Sequence, residues 1–193
     1  MTQLTRQDLM SLEEYSIKRP EFRQQVMAHK KNRVIPVGPA MMMYFEDRLT
    51  MQYQIQEMLR VEKIFDAAGI QEELDAYNPL IPDGSNWKAT QMIEFPDPAV
   101  RAAELAKLIG IEKATYVQVE GHDRVHAIAD EDLERDNDEK TSSVHFMRFE
   151  LTGPMKADVL DGAAITVGVD HPRYQHVTRL NDAQRESLAN DLS

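Results

Sequence analysis

Apolar and polar residues recur with two different periods along this chain, and the change falls near residue 110. Before it, apolar positions return at three- and four-residue spacing, as on the buried stripe of a helix. After it they alternate every second residue, as on a half-buried strand. Ser11 and Glu14 make an S-x-x-E capping box that starts a helix. Pro20 then sits where a first helical position would be and opens a second segment through about Arg33. In that segment Phe22, Val26 and His29 share one face, so His29 points toward a core, where a hydrogen-bonded structural role competes with a ligand role. Val34-Ile35-Pro36-Val37-Gly38-Pro39 carries two prolines and reads as an extended edge segment, apolar enough to support a homodimer.

A longer helix follows from about Arg48 to Ala67. At 100° per residue, Met51, Ile55, Met58 and Phe65 form its apolar stripe, with Leu59 at the margin. Glu62 falls in the middle of that stripe. Such a break in patterning marks either a functional group or a buried ion pair. Ile70 to Tyr77 is a short helix, the prolines 79 and 82 break the chain, and Ala89 to Phe95 reads as a strand. Asp97-Pro98 supplies an N-cap and a proline at the first helical position. The helix it starts has the stripe Ala102, Leu105, Leu108, Ile109 and closes at Gly110.

Beyond that point Thr115–Glu120 and Arg124–Ala129 flank a hairpin turn at Gly121-His122-Asp123. Ser143–Leu151 and Ala164–Val169 are further strands, joined by a short helix around Met155–Leu160. Asn181-Asp182-Ala183-Gln184 caps a last helix ending near Leu192. The expected fold is α+β, a single domain in which an N-terminal helical layer packs on an antiparallel sheet. Residues 1–33 form a helical arm, 34–110 a mainly helical part, 111–180 the antiparallel sheet and 181–193 a C-terminal helix.

Composition narrows the functional classes. The 193 residues suit one domain, and 42% hydrophobic with 28% charged residues is ordinary for a globular chain. A net charge of −11 argues against duplex nucleic acid and against anionic membrane surfaces. With no cysteine, the chain forms no disulfide, ligates no iron–sulfur cluster by thiolate and has no thiol nucleophile. No run reaches the roughly 18 apolar residues of a membrane span. The start, MTQLTRQDLMSLEEY, lacks the basic-then-apolar pattern of a secretory signal. A cytoplasmic location is the expectation.

The candidate chemistry lies in the histidines. His122, His126, His145, His171 and His176 all fall in the strand-rich half, and histidine is the commonest metal ligand. His122 and His126 would lie roughly 13 Å apart on an extended strand, so their four-residue spacing is a weak signal. His145 is in phase with Met147, Phe149 and Leu151 on an apolar face. If the helix carrying Glu62 packs there, Glu62 and His145 form a carboxylate–imidazole pair suited to acid–base work or metal ligation. The same pair would equally satisfy two buried polar groups.

Asp170-His171-Pro172-Arg173-Tyr174 follows a strongly apolar strand. It supplies either ligands, with Arg173 for an anion, or merely a turn. The candidate metal set is His145, His126, His171 and Asp170, for a divalent ion. The acidic run Asp130–Glu139 lacks the glycine and the final carboxylate of a calcium loop and reads as a solvated hairpin tip. Met41-Met42-Met43 reads as core rather than a copper site, because consecutive side chains diverge. Nucleotide-binding glycine loops, a nucleophile elbow, H-E-x-x-H and Glu-x-x-His are all missing from the sequence.

Val37-Gly38-Pro39, Phe45-Glu46-Asp47-Arg48, Gln54-Ile55-Gln56-Glu57-Met58-Leu59-Arg60, the run from Glu139 through Ser143-Val144-His145-Phe146 to Phe149, and Asp170-His171-Pro172-Arg173-Tyr174 resemble the bacterial DUF3501 family over nearly the whole chain. Asp130–Asp138 departs from the family pattern in being longer and more acidic. The resemblance implies context rather than a catalytic residue: members are encoded beside a rubrerythrin and a heterodisulfide-reductase-like iron–sulfur protein. Two expectations follow. In one, the chain is an accessory or interaction protein of a rubrerythrin-linked redox or peroxide-detoxification system, partnered with rubrerythrin-like and iron–sulfur oxidoreductase proteins, with no redox centre of its own. In the other it is a metal-binding protein or metal-dependent enzyme using His145 with Glu62, His126, His171 or Asp170.

Overall fold

In a computed structural model, which describes residues 3–131 and 140–192, two antiparallel sheets enclose one apolar core, and a helical layer carries a second, smaller one. The strands are β1 (Val34–Pro36), β2 (Met41–Glu46), β3 (Asn86–Ile93), β4 (Thr115–Val119), β5 (Val125–His126), β6 (Ile128–Ala129), β7 (Val144–Glu150), β8 (Ile165–His171) and β9 (Tyr174–Arg179). One sheet has the order β1-β2-β3-β7-β6 and the other β5-β4-β8-β9. Strand alternation turns Met41, Met43 and Phe45, then Trp87 and Ala89, then Met147 and Phe149 inward. They meet Val117, Val119, Ile165, Val167 and Val169 from the other sheet. The α+β class is thus as the periodicity predicts, with two sheets in place of one.

The sheets are joined along two seams. On one, the expected strand Arg124–Ala129 splits at Ala127, so that β5 pairs with β4 while β6 pairs with β7. On the other, the hydroxyls of Tyr174 and Thr178 on β9 donate to the carbonyls of Val37 (2.6 Å) and Pro36 (2.5 Å). The edge segment expected to support a dimer is therefore engaged within the chain, with Ile35 and Val37 fully buried.

The helices are α1 (Leu12–Lys30), α2 (Arg48–Glu62), α3 (Ala67–Tyr77), α4 (Pro98–Lys107), α5 (Gly153–Leu160) and α6 (Asp182–Ala189). Ser11 caps α1 by accepting from the Glu14 N–H, and Asn181 and Gln184 form the expected capping box on α6. Asp97 caps α4, which buries Leu105, with Leu108 buried just past its end, while Ala102 and Ile109 are exposed. No helix of the described residues is long and apolar enough to cross a membrane.

Two expectations are corrected and one strand is added. Pro20 does not restart a helix; α1 runs through it. Ser16 and Pro20 are both exposed, so the Ser16 carbonyl that loses its partner faces water and the cost of an internal proline is reduced. The long helix ends at Glu62, where Lys63 adopts a left-handed φ of 55° and Asp66 caps a new helix. The stripe extrapolated past residue 62 therefore fails, and Phe65 is 77% exposed. β1 and β3 fall on the extended segment Val34–Pro39 and the strand Ala89–Phe95 that the sequence predicts, whereas β2 has no counterpart among the expected elements.

Candidate functional site

His145 sits on the inner face of β7, fully buried beside Met147, in the phase its sequence position predicts. Its Nδ1 lies 2.5 Å from Asp130 Oδ2, and its Nε2 lies 2.8 Å from Thr141 Oγ1 and 3.1 Å from the Ser142 carbonyl. An ionised carboxylate only accepts, so Nδ1 donates to Asp130, and Nε2 can accept from the Thr141 hydroxyl. Asp130 uses its second oxygen to accept from the Phe146 N–H at 3.0 Å. It does so from a left-handed φ of 52°, which aspartate tolerates better than most residues.

Carboxylate, imidazole and hydroxyl follow in the order of a nucleophilic triad, but Thr141 is only 1% exposed and its hydroxyl meets no solvent-facing surface. What the arrangement does is hold chain. Asp130 is the first residue of the acidic run and Thr141 follows its end, and one buried ring ties both to β7. The 132–139 part of that run, including most of the hairpin tip weighed as a calcium loop, lies outside the described residues.

A second polar group adjoins the first. Gln91 is the cross-strand partner of His145 and is also fully buried. Its amide nitrogen lies 3.1 Å from Met41 Sδ, and its oxygen lies 3.4 Å from the Thr115 hydroxyl.

The partner expected for His145 is corrected. Glu62 is exposed at the end of α2, where its charge acts on Glu73 of α3, and Asp130 takes the place beside the imidazole. His126 and Asp170 do approach each other on the second sheet, with Nε2 3.8 Å from Oδ2. The Asp170 carboxylate is, however, engaged by Arg124 at 3.0 Å, whose guanidinium also stacks 4.1 Å from the centre of the Tyr116 ring. His171 points elsewhere, its Nε2 3.2 Å from the Ile109 carbonyl and its Nδ1 accepting from the Arg173 N–H. His122 pairs with Asp158 at 2.6 Å, and His176 packs edge-on against Tyr174. His145, His126, His171 and Asp170 thus do not converge. Among the described residues no group of three His, Asp or Glu side chains is placed to hold a metal ion.

The sequence reading overlooked a buried ionic junction around Arg33, which is 1% exposed. Its guanidinium donates to the carbonyls of Phe45 (2.9 Å), Glu46 (3.0 Å) and Ser187 (3.0 Å) and to Asp191 Oδ2 (2.5 Å). Asp47, which caps α2, lies 3.5 Å away and also binds His29 at 2.5 Å, so His29 has the structural role. Burial pushes the Asp191 carboxyl up to about 6 despite the opposing pull of Arg33. Burial likewise raises Glu46, against the hydroxyls of Thr50 and Thr90. An Arg ending a helix before Val34-Ile35 was the only local signal. Asp191 is 158 positions away in the chain, and no spacing rule connects the two.

Fold and site together define an α+β protein with two sheets around one core, pinned by a buried carboxylate–imidazole–hydroxyl chain. The protein belongs to the DUF3501 family, described as a protein of unknown function, whose model matches residues 3–192. It is similar to a crystal structure, at 1.90 Å resolution, of a novel protein of unknown function from Burkholderia pseudomallei K96243. The identity is 50% and the TM-score 0.94, with 100% of both chains covered. A comparison with curated proteins gives no match.

Proposed function

We propose that this protein is an accessory, interaction-type component of a redox or peroxide-detoxification system formed with rubrerythrin-like and iron–sulfur oxidoreductase proteins, working in the cytoplasm without a redox centre of its own. The burial of His145 carries the reading. The histidine best placed for chemistry is fully enclosed, with Nδ1 engaged by Asp130 and Nε2 by the Thr141 hydroxyl, so it positions backbone rather than substrate. A chain without cysteine leaves thiolate-ligated clusters to its partners. A net charge of −11 would steer it toward a basic partner face.

Sedimentation velocity of the purified protein mixed with the rubrerythrin, and separately with the iron–sulfur oxidoreductase, tests the reading. A complex of defined stoichiometry that loosens as salt rises supports it. No complex with either protein at low salt overturns it.

The second reading, a metal-binding protein or metal-dependent enzyme, is favoured by the approach of His126 to Asp170. Elemental analysis of protein purified without chelators decides it. Stoichiometric iron, manganese, copper or zinc that disappears in His126→Ala would favour this reading over the first.

A further inference from the structure

Between α3 with the turn after it and the outer face of β3 and β7 lies a cleft of about 590 Å³. That is within the usual size range of small-ligand sites. Its walls are largely apolar, with Tyr77, Pro79 and Leu80 on one side and Phe146 on the other. Three charged side chains of the sheet side reach it: Lys88, Arg148 and Glu131.

Arg148 is fully occupied. Nε and Nη2 hold both oxygens of Glu131 at 2.8 and 2.7 Å, and Nη1 binds Glu150. Glu150 in turn accepts from Asn86 at 2.9 Å. Lys88 is different. It is half-buried, and its ammonium makes no hydrogen bond or ion pair with any described residue. Its cross-strand neighbours are Arg148, and Glu46, whose carboxylate is taken by Thr50 and Thr90. Burial, with Arg148 adding to it, holds the Lys88 amine below the ordinary lysine value. The more distant carboxylates of Glu131, Asp83 and Glu150 pull the other way but offset this only in part, so the cation is partly desolvated and not directly paired.

We propose that this cleft binds a small monocarboxylate with an aromatic or branched apolar body, its carboxylate on the Lys88 ammonium and its body between Tyr77, Leu80 and Phe146. The charges select the class. One ammonium is free for one negative charge, and a phosphate dianion would face Glu131 and Glu150 with the same single cation. A cationic ligand would meet Lys88 and find the two carboxylates that line the cleft already engaged, Glu131 by Arg148 and Asp75 by Gln71. The aromatic and aliphatic walls supply the burial that a bare acetate would lack. The site lies on the opposite face of β7 from His145, and it does not depend on the accessory reading.

Isothermal titration with 1-naphthoate, and with 2-naphthalenemethanol as an uncharged counterpart, is the test. Naphthoate should bind one to one, about tenfold weaker in Lys88→Met and little changed in Lys88→Arg, while the alcohol should not distinguish the three proteins. Naphthoate should also protect Lys88 of the unaltered protein from acetylation by acetic anhydride, read by peptide mass spectrometry, which serves if Lys88→Met does not fold. Lack of saturable naphthoate binding, equal affinity in Lys88→Met, or unprotected Lys88 at saturating naphthoate would each overturn the proposal.

Discussion

Asp130 and His145 stand 2.5 Å apart, carboxylate to Nδ1, with the imidazole completely enclosed and the carboxylate also holding the Phe146 N–H. Truncating the ring in His145→Ala removes packing and the imidazole's two hydrogen bonds, to the Asp130 carboxylate and the Thr141 hydroxyl. The expected loss of stability is about 3 kcal/mol. Asp130→Asn keeps an acceptor and a residue tolerant of positive φ, so it should cost about 1 kcal/mol. Urea unfolding followed by Trp87 emission measures both. A His145→Ala protein within half a kcal/mol of the parent would show that the pin carries no weight.

On α2 the polar interruption that matters is Gln56, not Glu62. Gln56 is fully buried; its side-chain oxygen accepts from the Met10 N–H at 2.6 Å and its nitrogen donates to the Met10 carbonyl at 3.3 Å. Gln56→Leu orphans both backbone groups and should cost about 2 kcal/mol. Glu62→Ala, at an exposed helix end, should change stability by less than about 0.5 kcal/mol. Thermal unfolding of the two variants side by side separates them, and a reversed order would return Glu62 to consideration.

Asp191 makes stability depend on pH in a direction unusual for a carboxylate. Its carboxyl is raised from 3.8 to about 6 in the folded protein, so the folded state binds this proton more tightly than the unfolded one. The resulting stabilisation is complete below about pH 4 and is lost as pH rises through about 6, in all roughly 3 kcal/mol. Asp191→Asn cannot titrate there. The stability of the parent minus that of the variant should therefore fall between about pH 4 and pH 7 and stay level above. A difference that is constant with pH would mean that Arg33 keeps Asp191 ionised throughout.

What could be read from the sequence was local. Caps at Ser11, Asp97 and Asn181, the alternation that turns His145 inward and the period change near residue 110 each depend on neighbours a few positions away. β2 was invisible because Met41-Met42-Met43-Tyr44-Phe45-Glu46 is apolar at nearly every position and shows no alternation. The split at Ala127 was hidden because both halves remain extended and only their partners change. Glu62 misled because a helical stripe was continued through Lys63, whose left-handed backbone stops the helix without the glycine usual at such a cap. The pairs Asp130–His145 and Arg33–Asp191 are tertiary, and no local feature of an acidic run marks Asp130 as the carboxylate that meets a buried imidazole.

Gly168 offers a coupled test of the second sheet. It pairs across the strands with Tyr116, whose ring lies so close that a Cβ on Gly168 would fall 2.4 Å from Cζ and from the hydroxyl oxygen. Tyr116 is itself only 2% exposed, and Arg124 stacks on its ring, so the ring has little room to yield. Gly168→Ala alone should cost about 3 kcal/mol through overpacking. In a Tyr116→Ala background the added methyl meets no ring, and the same substitution should then be close to neutral or slightly stabilising, because alanine loses less backbone entropy on folding than glycine. The double-mutant cycle should therefore return a coupling of about 2 kcal/mol or more. Additive costs would mean that the ring does not occupy the space above Gly168, and that glycine is present there for some other reason.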